Sequence, residues 1–257
     1  MIEWQDDAIV LSVRPHGESS VVVLALTKER GKHAGLVRGV KSQEARGGLQ
    51  PGNFVKLTWK ARLADHLGVF QIELVRSNAV IFFDDPLRLS GLTAALSICE
   101  QALPDREKLP PVFEALLILI EHIREQEEVI WLATYISWEI GLLGTLGFSL
   151  ELSNCTVTGT NDDLSFVSPK TGRAVSKEIG LKYSAKLLKL PSFLTSKGFE
   201  RPAEFIDGLN LTGYFLRRHV FAAYNKPTPG AREHFKDRVQ KKYGDSYFAQ
   251  PITNNIV

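Results

Sequence analysis

The hydrophobic pattern of this chain changes period once, near residue 80, and that change limits the possible fold more than any other feature. Before it, five β-rich segments follow one another within about 75 residues: DAIVLSV (7–13), SVVVLALT (20–27), HAGLVRGV (33–40), NFVKLTWKARL (53–63) and HLGVFQIELVRS (66–77). The second is a continuous β-branched and apolar run, the pattern of a strand covered on both faces. The fourth alternates, with Phe54, Val55, Leu57 and Trp59 set against Lys56, Thr58 and Lys60. PHGES (15–19) and KERGK (28–32) carry turn chemistry, and KSQEARGGLQPG (41–52) is a long glycine- and proline-bearing loop.

After residue 80 the pattern is helical. PLRLSGLTAALSICEQAL (86–103) and LPPVFEALLILIEHIREQ (109–126) predict two helices. In the second, Pro110 and Pro111 suit a first turn, and Val112, Leu116, Ile120 and Ile123 share a face. VIWLATYISWEIGLLGTLGF (129–148) predicts a third. It has spanning length, but Glu139 near its middle would cost roughly 2.5–3.5 kcal/mol in a bilayer. It therefore reads as the central buried helix of a soluble domain. Residues 151–177 revert to polar loop and short strands; helical periodicity returns at 178–190 and 202–225, and the tail from Lys226 is basic, then unpatterned. Short strands with a long connection after the third point to a small closed barrel of the oligonucleotide-binding (OB) kind. The expected class is α+β and multidomain: a five-stranded OB-type barrel (1–80), an all-helical body (81–150 and 178–257), and an insert (151–177) between its two parts.

Net charge is only +2, but it is unevenly placed. Between residues 28 and 62 stand nine Lys and Arg, at 28, 30, 32, 38, 41, 46, 56, 60 and 62, against Glu29 and Glu44, a local +7 on a body of −5. Such asymmetry creates the field an anionic partner feels. Phosphate binding needs cations on a fixed surface, with aromatic faces nearby where bases stack. Lys28, Arg30, Lys32, Arg38, Lys41, Arg46, Lys56, Lys60 and Arg62 are the candidate contacts, Arg38 facing out, with Trp59 as the aromatic. The competing reading is a solvated barrel surface whose aromatics fill the core; Phe54 is assigned to that core.

Nothing in the chain argues for catalysis. Gly31–Lys32 lacks the spaced glycine and the Ser/Thr of a phosphate loop. Cys99 reads as a small buried apolar residue. The six histidines show no metal spacing, and Asp6–Asp7 and Asp84–Asp85 are turn and cap residues. The opening MIEWQDDAIV has no basic and apolar leader pattern, and two cysteines make no disulfide framework, so the cytoplasm is the expected compartment.

The order of motifs resembles the bacterial recombination mediator RecO family over about residues 1–243. AIVLSVRPHGESSVVVLALTKERGKHAGLVRGVKS looks like the family's opening, and GGLQPGNFVKLTW fits its LQP signature. WEIGLLGTLGFSLELSNC is similar to its aromatic–Glu helix running into the insert, and FLRRHV with KPTPGARE resembles its C-terminal motif. The resemblance implies a non-enzymatic, DNA-binding recombination mediator of the RecFOR pathway. Such proteins bind single- and double-stranded DNA, anneal complementary strands, engage the acidic tail of the single-stranded DNA-binding protein, and with RecR help RecA load. It also implies association with the nucleoid, no membrane partner and no consumed cofactor.

The chain departs from the family pattern in two places. Where relatives carry two C-x-x-C pairs for zinc, this chain has Cys155-Thr-Val-Thr158, then Ser176 and Ile179. A closed zinc site needs four ligands, so the insert is read as a degenerate zinc-ribbon-like element without metal. Arginines that relatives show before the aromatic–Glu are replaced by Tyr135-Ile-Ser137. Arg217 and Arg218 are the remaining candidates for the acidic tail, with plain solvation of a helix face as the competing reading. The charge pattern alone leaves other functions open: an OB-fold RNA-binding or ribosome-associated module, an enzyme assembled from scattered residues, or a helical scaffold with an incidental basic barrel.

Overall fold

A computed structural model describes residues 1–40, 47–78, 82, 84–195, 197–199 and 201–244. It divides into two compact units, residues 1–126 with 229–232, and 127–228 with 233 onward.

The first unit opens with a closed five-stranded barrel, in the order β1 (Ile2–His16), β2 (Ser20–Thr27), β3 (Gly31–Arg38), β5 (Val69–Arg76), β4 (Phe54–Ala61). β1 closes it by serving two neighbours. Its first half pairs antiparallel with β4, from Ile2 opposite Ala61 to Ile9 opposite Phe54. Its second half pairs with β2, and the register slips at Leu11, between Val10 and Ser12. Such a bulge bends a strand, which lets one long strand turn a barrel corner. On the far side β3 and β5 meet in parallel at Leu36 and Val69.

The alternation read in the fourth segment is realised. Val55, Leu57, Trp59 and Ala61 point inward and are buried. They join Ala8, Val10, Val23, Ala25 and Phe70 in the barrel core. Gly35 exists to admit Phe70: a Cβ there would lie 2.5 Å from the ring. Phe54, assigned to the core from its sequence, is instead half-buried on the outer face. Its ring centroid lies 6.5 Å from that of Phe113, with the Arg76 guanidinium 6.0 Å above it.

Two helices complete this unit, α1 (Pro86–Ala102) and α2 (Pro110–Glu125). Asp85 caps α1 through hydrogen bonds from the Leu87 and Arg88 N–H groups, both 3.0 Å. Cys99 is fully buried in α1, and burial pushes its thiol up to about 12, as expected of an inert core cysteine.

The second unit is built on α3 (Glu128–Thr145), α5 (Glu204–Phe215) and, from Glu233 onward, α6 (Gly230–Tyr243), with a short α4 (Lys177–Leu181). α3 is the apolar segment of the sequence. Its Glu139 is buried and accepts a hydrogen bond from the Thr212 hydroxyl of α5, so the acid in an apolar helix has a packed partner. Gly208 permits the close helix approach, since a Cβ there would meet Ile136 at 2.8 Å. Phe235 of α6 packs on Trp131 and Tyr135 at 6.0 and 4.6 Å. No helix among the described residues is long and apolar enough to cross a membrane.

The sequence predicts an unpatterned tail, but 230–243 is helical. It also predicts a helix over 178–190, where only Lys177–Leu181 is α-helical. Leu188–Lys189 instead forms a third strand, β8, beside β6 (Leu164–Val167) and β7 (Ala174–Ser176), in the order β7-β6-β8.

In this small sheet Cys155 and Ser176 come together. The Ser176 N–H donates to the Cys155 Sγ at 3.3 Å. Burial raises the Cys155 thiol, but hydrogen bonds from the Thr158 hydroxyl and from the backbone of Thr158, Ser176 and Val157 outweigh it and bring it down to about 6. One thiolate and two hydroxyls do not fit zinc, and no group of three or more His, Cys, Asp or Glu among the described residues could hold a metal ion.

Candidate nucleic-acid interface

The described cations of residues 28–62 do not share one face. Their surroundings divide them into three sets.

The first set is held by α1, α2 and the connection between them. Lys28, in the β2–β3 turn, pairs with Glu114 of α2 at 2.7 Å, and that contact raises its pKa. Lys32 is buried, its Nζ donating to the Glu100 carbonyl at 2.7 Å and lying 3.2 Å from the Asp105 carboxylate. Even Glu29 of this turn is engaged, by Lys108. The second set lies among acids of the barrel. Lys56 is exposed on β4 but is flanked in register by Asp7 of β1 and Glu73 of β5. These residues share a groove of about 560 Å³ with Asp6, Lys28 and Glu29, so acids outnumber cations there. Arg30, which does not line that groove, is exposed and lies over the Trp4 ring, 5.9 Å from its centroid.

The third set forms a different surface. Arg38 at the end of β3, Lys60 at the end of β4, and Arg62 and His66 in the β4–β5 loop rim a groove of about 690 Å³. Leu36, Ala61, Leu67, Val69 and Met1 supply its apolar lining, with Met1 and Leu67 exposed. Among the described residues that line it, none is acidic. Lys60 reaches Glu3 at 3.0 Å across the strand pair, whereas Arg38 and Arg62 are exposed and make no ion pair with a described residue. In OB barrels the loop between strands four and five commonly lines the ligand face.

Trp59 needs a correction. It is 1% exposed, lies in the barrel core 5.5 Å from Trp4, and donates its Nε1–H to the Leu67 carbonyl at 3.0 Å. Its ring face is not offered to bases. It shares the inward parity of Val55 and Leu57, which the alternation already implied. Its effect on the groove is indirect: it fixes Leu67 from below, and Gly68 is needed because a Cβ there would sit 2.2 Å from the Trp59 Nε1. Lys32 likewise leaves the set of available cations. Sequence reasoning missed His66, which no motif marks. Lys41 and Arg46 lie outside the described residues.

Arg217 and Arg218 belong to the second unit. Both are exposed on a π-helical turn, Leu216–Phe221, that continues α5. Arg218 donates to the Tyr214 hydroxyl at 2.9 Å, so part of its charge is directed along its own helix. Arg217 has no such partner among the described residues.

Residues 1–78 match the family model described as the N-terminal part of recombination protein O, and residues 84–227 match that of its C-terminal part. The DNA repair protein RecO of Rhodospirillum centenum is 45% identical over 95% of this chain and 98% of its own length. That of Rhodospirillum rubrum is 45% identical over 94% and 98%, and that of Caulobacter vibrioides 45% over 93% and 95%. On matches that span both units at this identity, the chain belongs to the RecO family.

Proposed function

We propose that this protein is a non-enzymatic mediator of DNA repair that binds single- and double-stranded DNA, anneals complementary strands and, with RecR, helps RecA load on single strands. The observation that carries this reading is the groove lined by Arg38, Lys60, Arg62 and His66 together with apolar residues and no described acid. Cations lining the groove neutralise phosphates, and its apolar side chains accept the face of an unpaired base. When two strands are neutralised together their repulsion falls and pairing can nucleate; no bond is made or broken by the protein, so no cofactor is consumed. The RecO relatives, named as DNA repair proteins, support the setting. The acidic tail of the single-stranded DNA-binding protein is assigned to the second unit, with Arg217 as the first candidate and Arg218 as the second.

The test is strand annealing by the variant R38E/R62E, with K56E as a control. The double reversal removes annealing while K56E retains most of it, because Lys56 already sits among acids. Annealing by R38E/R62E at the wild-type rate refutes the groove as the DNA surface. Preference for structured RNA over single-stranded DNA in competition would move the protein to the RNA-binding reading.

A further inference from the structure

Arg106 stands in the α1–α2 connection with φ 61°. A non-glycine residue in the left-handed region is strained, and such strain persists only where the surroundings impose it. Here the surroundings are the barrel. Asp105 bridges to Lys32 as a short parallel pair, and the Arg106 N–H donates to the Lys32 carbonyl at 2.9 Å. The connection lies so close to the β2–β3 turn that a Cβ on Gly31 would fall 1.9 Å from the Glu107 carbonyl oxygen. Lys32 locks the contact from inside through Glu100 and Asp105.

This conformation aims the Arg106 side chain at the β4–β5 loop. Its Nη1 donates to the Ala64 carbonyl at 2.6 Å, and its Nη2 to the carbonyls of Asp65 and His66, both 3.0 Å. A planar guanidinium holding three successive carbonyls fixes a backbone arc, which a lysine cannot do. The clamped residues, 64–66, lie between Arg62 and Leu67, and His66 among them lines the basic groove together with those two. The loop is otherwise exposed from Arg62 to Leu67, and its own backbone contributes a His66 N–H to Leu63 carbonyl bond at 3.3 Å. Those carbonyls would be hydrated if released, so the clamp orders the loop rather than holding the barrel together.

We infer that Arg106 is a positioning residue for nucleic-acid binding: it presents Arg62 and His66 to the strand without touching it. This rests on the groove being the nucleic-acid site. The experiment measures the affinity of R106Q, R106K, R62A and R106Q/R62A for a fluorescein-labelled single-stranded oligothymidylate, with thermal unfolding of each. R106Q and R106K should both bind on the order of tenfold more weakly while unfolding near the wild-type temperature, and R106Q should add little in the R62A background, since coupled residues are not additive. Faster amide exchange at residues 63–67 in R106Q is the accompanying sign of a released loop. Wild-type affinity of R106K would show that only charge matters, and multiplied losses in the double variant would show independent action; either overturns the inference. If R62A and R106Q both bind normally, the groove reading itself fails. If R62A is weak and R106Q is not, only the role of Arg106 does.

Discussion

Removing Arg38 and Arg62 together should change the salt dependence of DNA binding by an amount that can be stated in advance. The groove offers at most three cations with fixed charge, Arg38 and Arg62, which make no ion pair with a described residue, and Lys60, which is shared with Glu3. Each single-strand phosphate contact contributes about −0.7 to the slope of log association constant against log salt, so three give about −2.1. Between 50 and 200 mM salt, that slope corresponds to a loss of roughly 18-fold in affinity. R38A/R62A leaves only Lys60, a slope of about −0.7, and a loss of about 2.6-fold over the same range. Lys56→Ala should leave the slope within about 0.3 of wild type, because Asp7 and Glu73 flank it in register. Fluorescence anisotropy at four or five salt concentrations suffices. A wild-type slope near −6, the value if all nine cations were engaged, would refute the division of the charges. So would a slope that R38A/R62A does not change.

Two further outcomes follow from packing and from the insert. Gly35→Ala places a methyl 2.5 Å from the buried Phe70 ring and should cost about 1–3 kcal/mol in urea unfolding; an unchanged midpoint would show that Phe70 yields freely. Cys155 has a folded-state pKa of about 6 against an ordinary thiol value of 9.0, so the stability it contributes is present above pH 9 and lost as pH falls toward 6. Wild-type stability relative to Cys155→Ser should therefore rise with pH across that window, by at most about 1.4 kcal/mol per pH unit; parallel pH profiles would show that the thiolate is not stabilised.

The barrel was legible because its strands announce themselves. In β4 the alternation of Val55, Leu57 and Trp59 with Lys56, Thr58 and Lys60 follows from a single buried face. The first five residues of β1 were not legible, since Glu3, Gln5 and Asp6 are polar and the segment is placed by pairing with β4 rather than by its own hydrophobicity. α6 escaped for a related reason: Phe235 and Val239 are its buried apolar residues, too few to set a period. In Leu187–Leu190 the sequence LLKL satisfies a helix as well as the two-residue strand that forms there. For the candidate site, the excess of cations was countable, but which of them are free was not. Lys28 and Lys32 lose their availability to Glu114, Glu100 and Asp105, residues some 70 to 90 positions away that meet them only when the helices dock. Arg106 was invisible for the same reason, since its role depends on a left-handed backbone that no motif encodes.

Photo-crosslinking of a bromodeoxyuridine-substituted single strand, followed by peptide mapping, tests the central claim most directly. The groove predicts crosslinks within Leu36–Arg38 and Lys60–Val69. Crosslinks confined to the acidic groove around Asp7 and Glu73, or to the second unit, would contradict it.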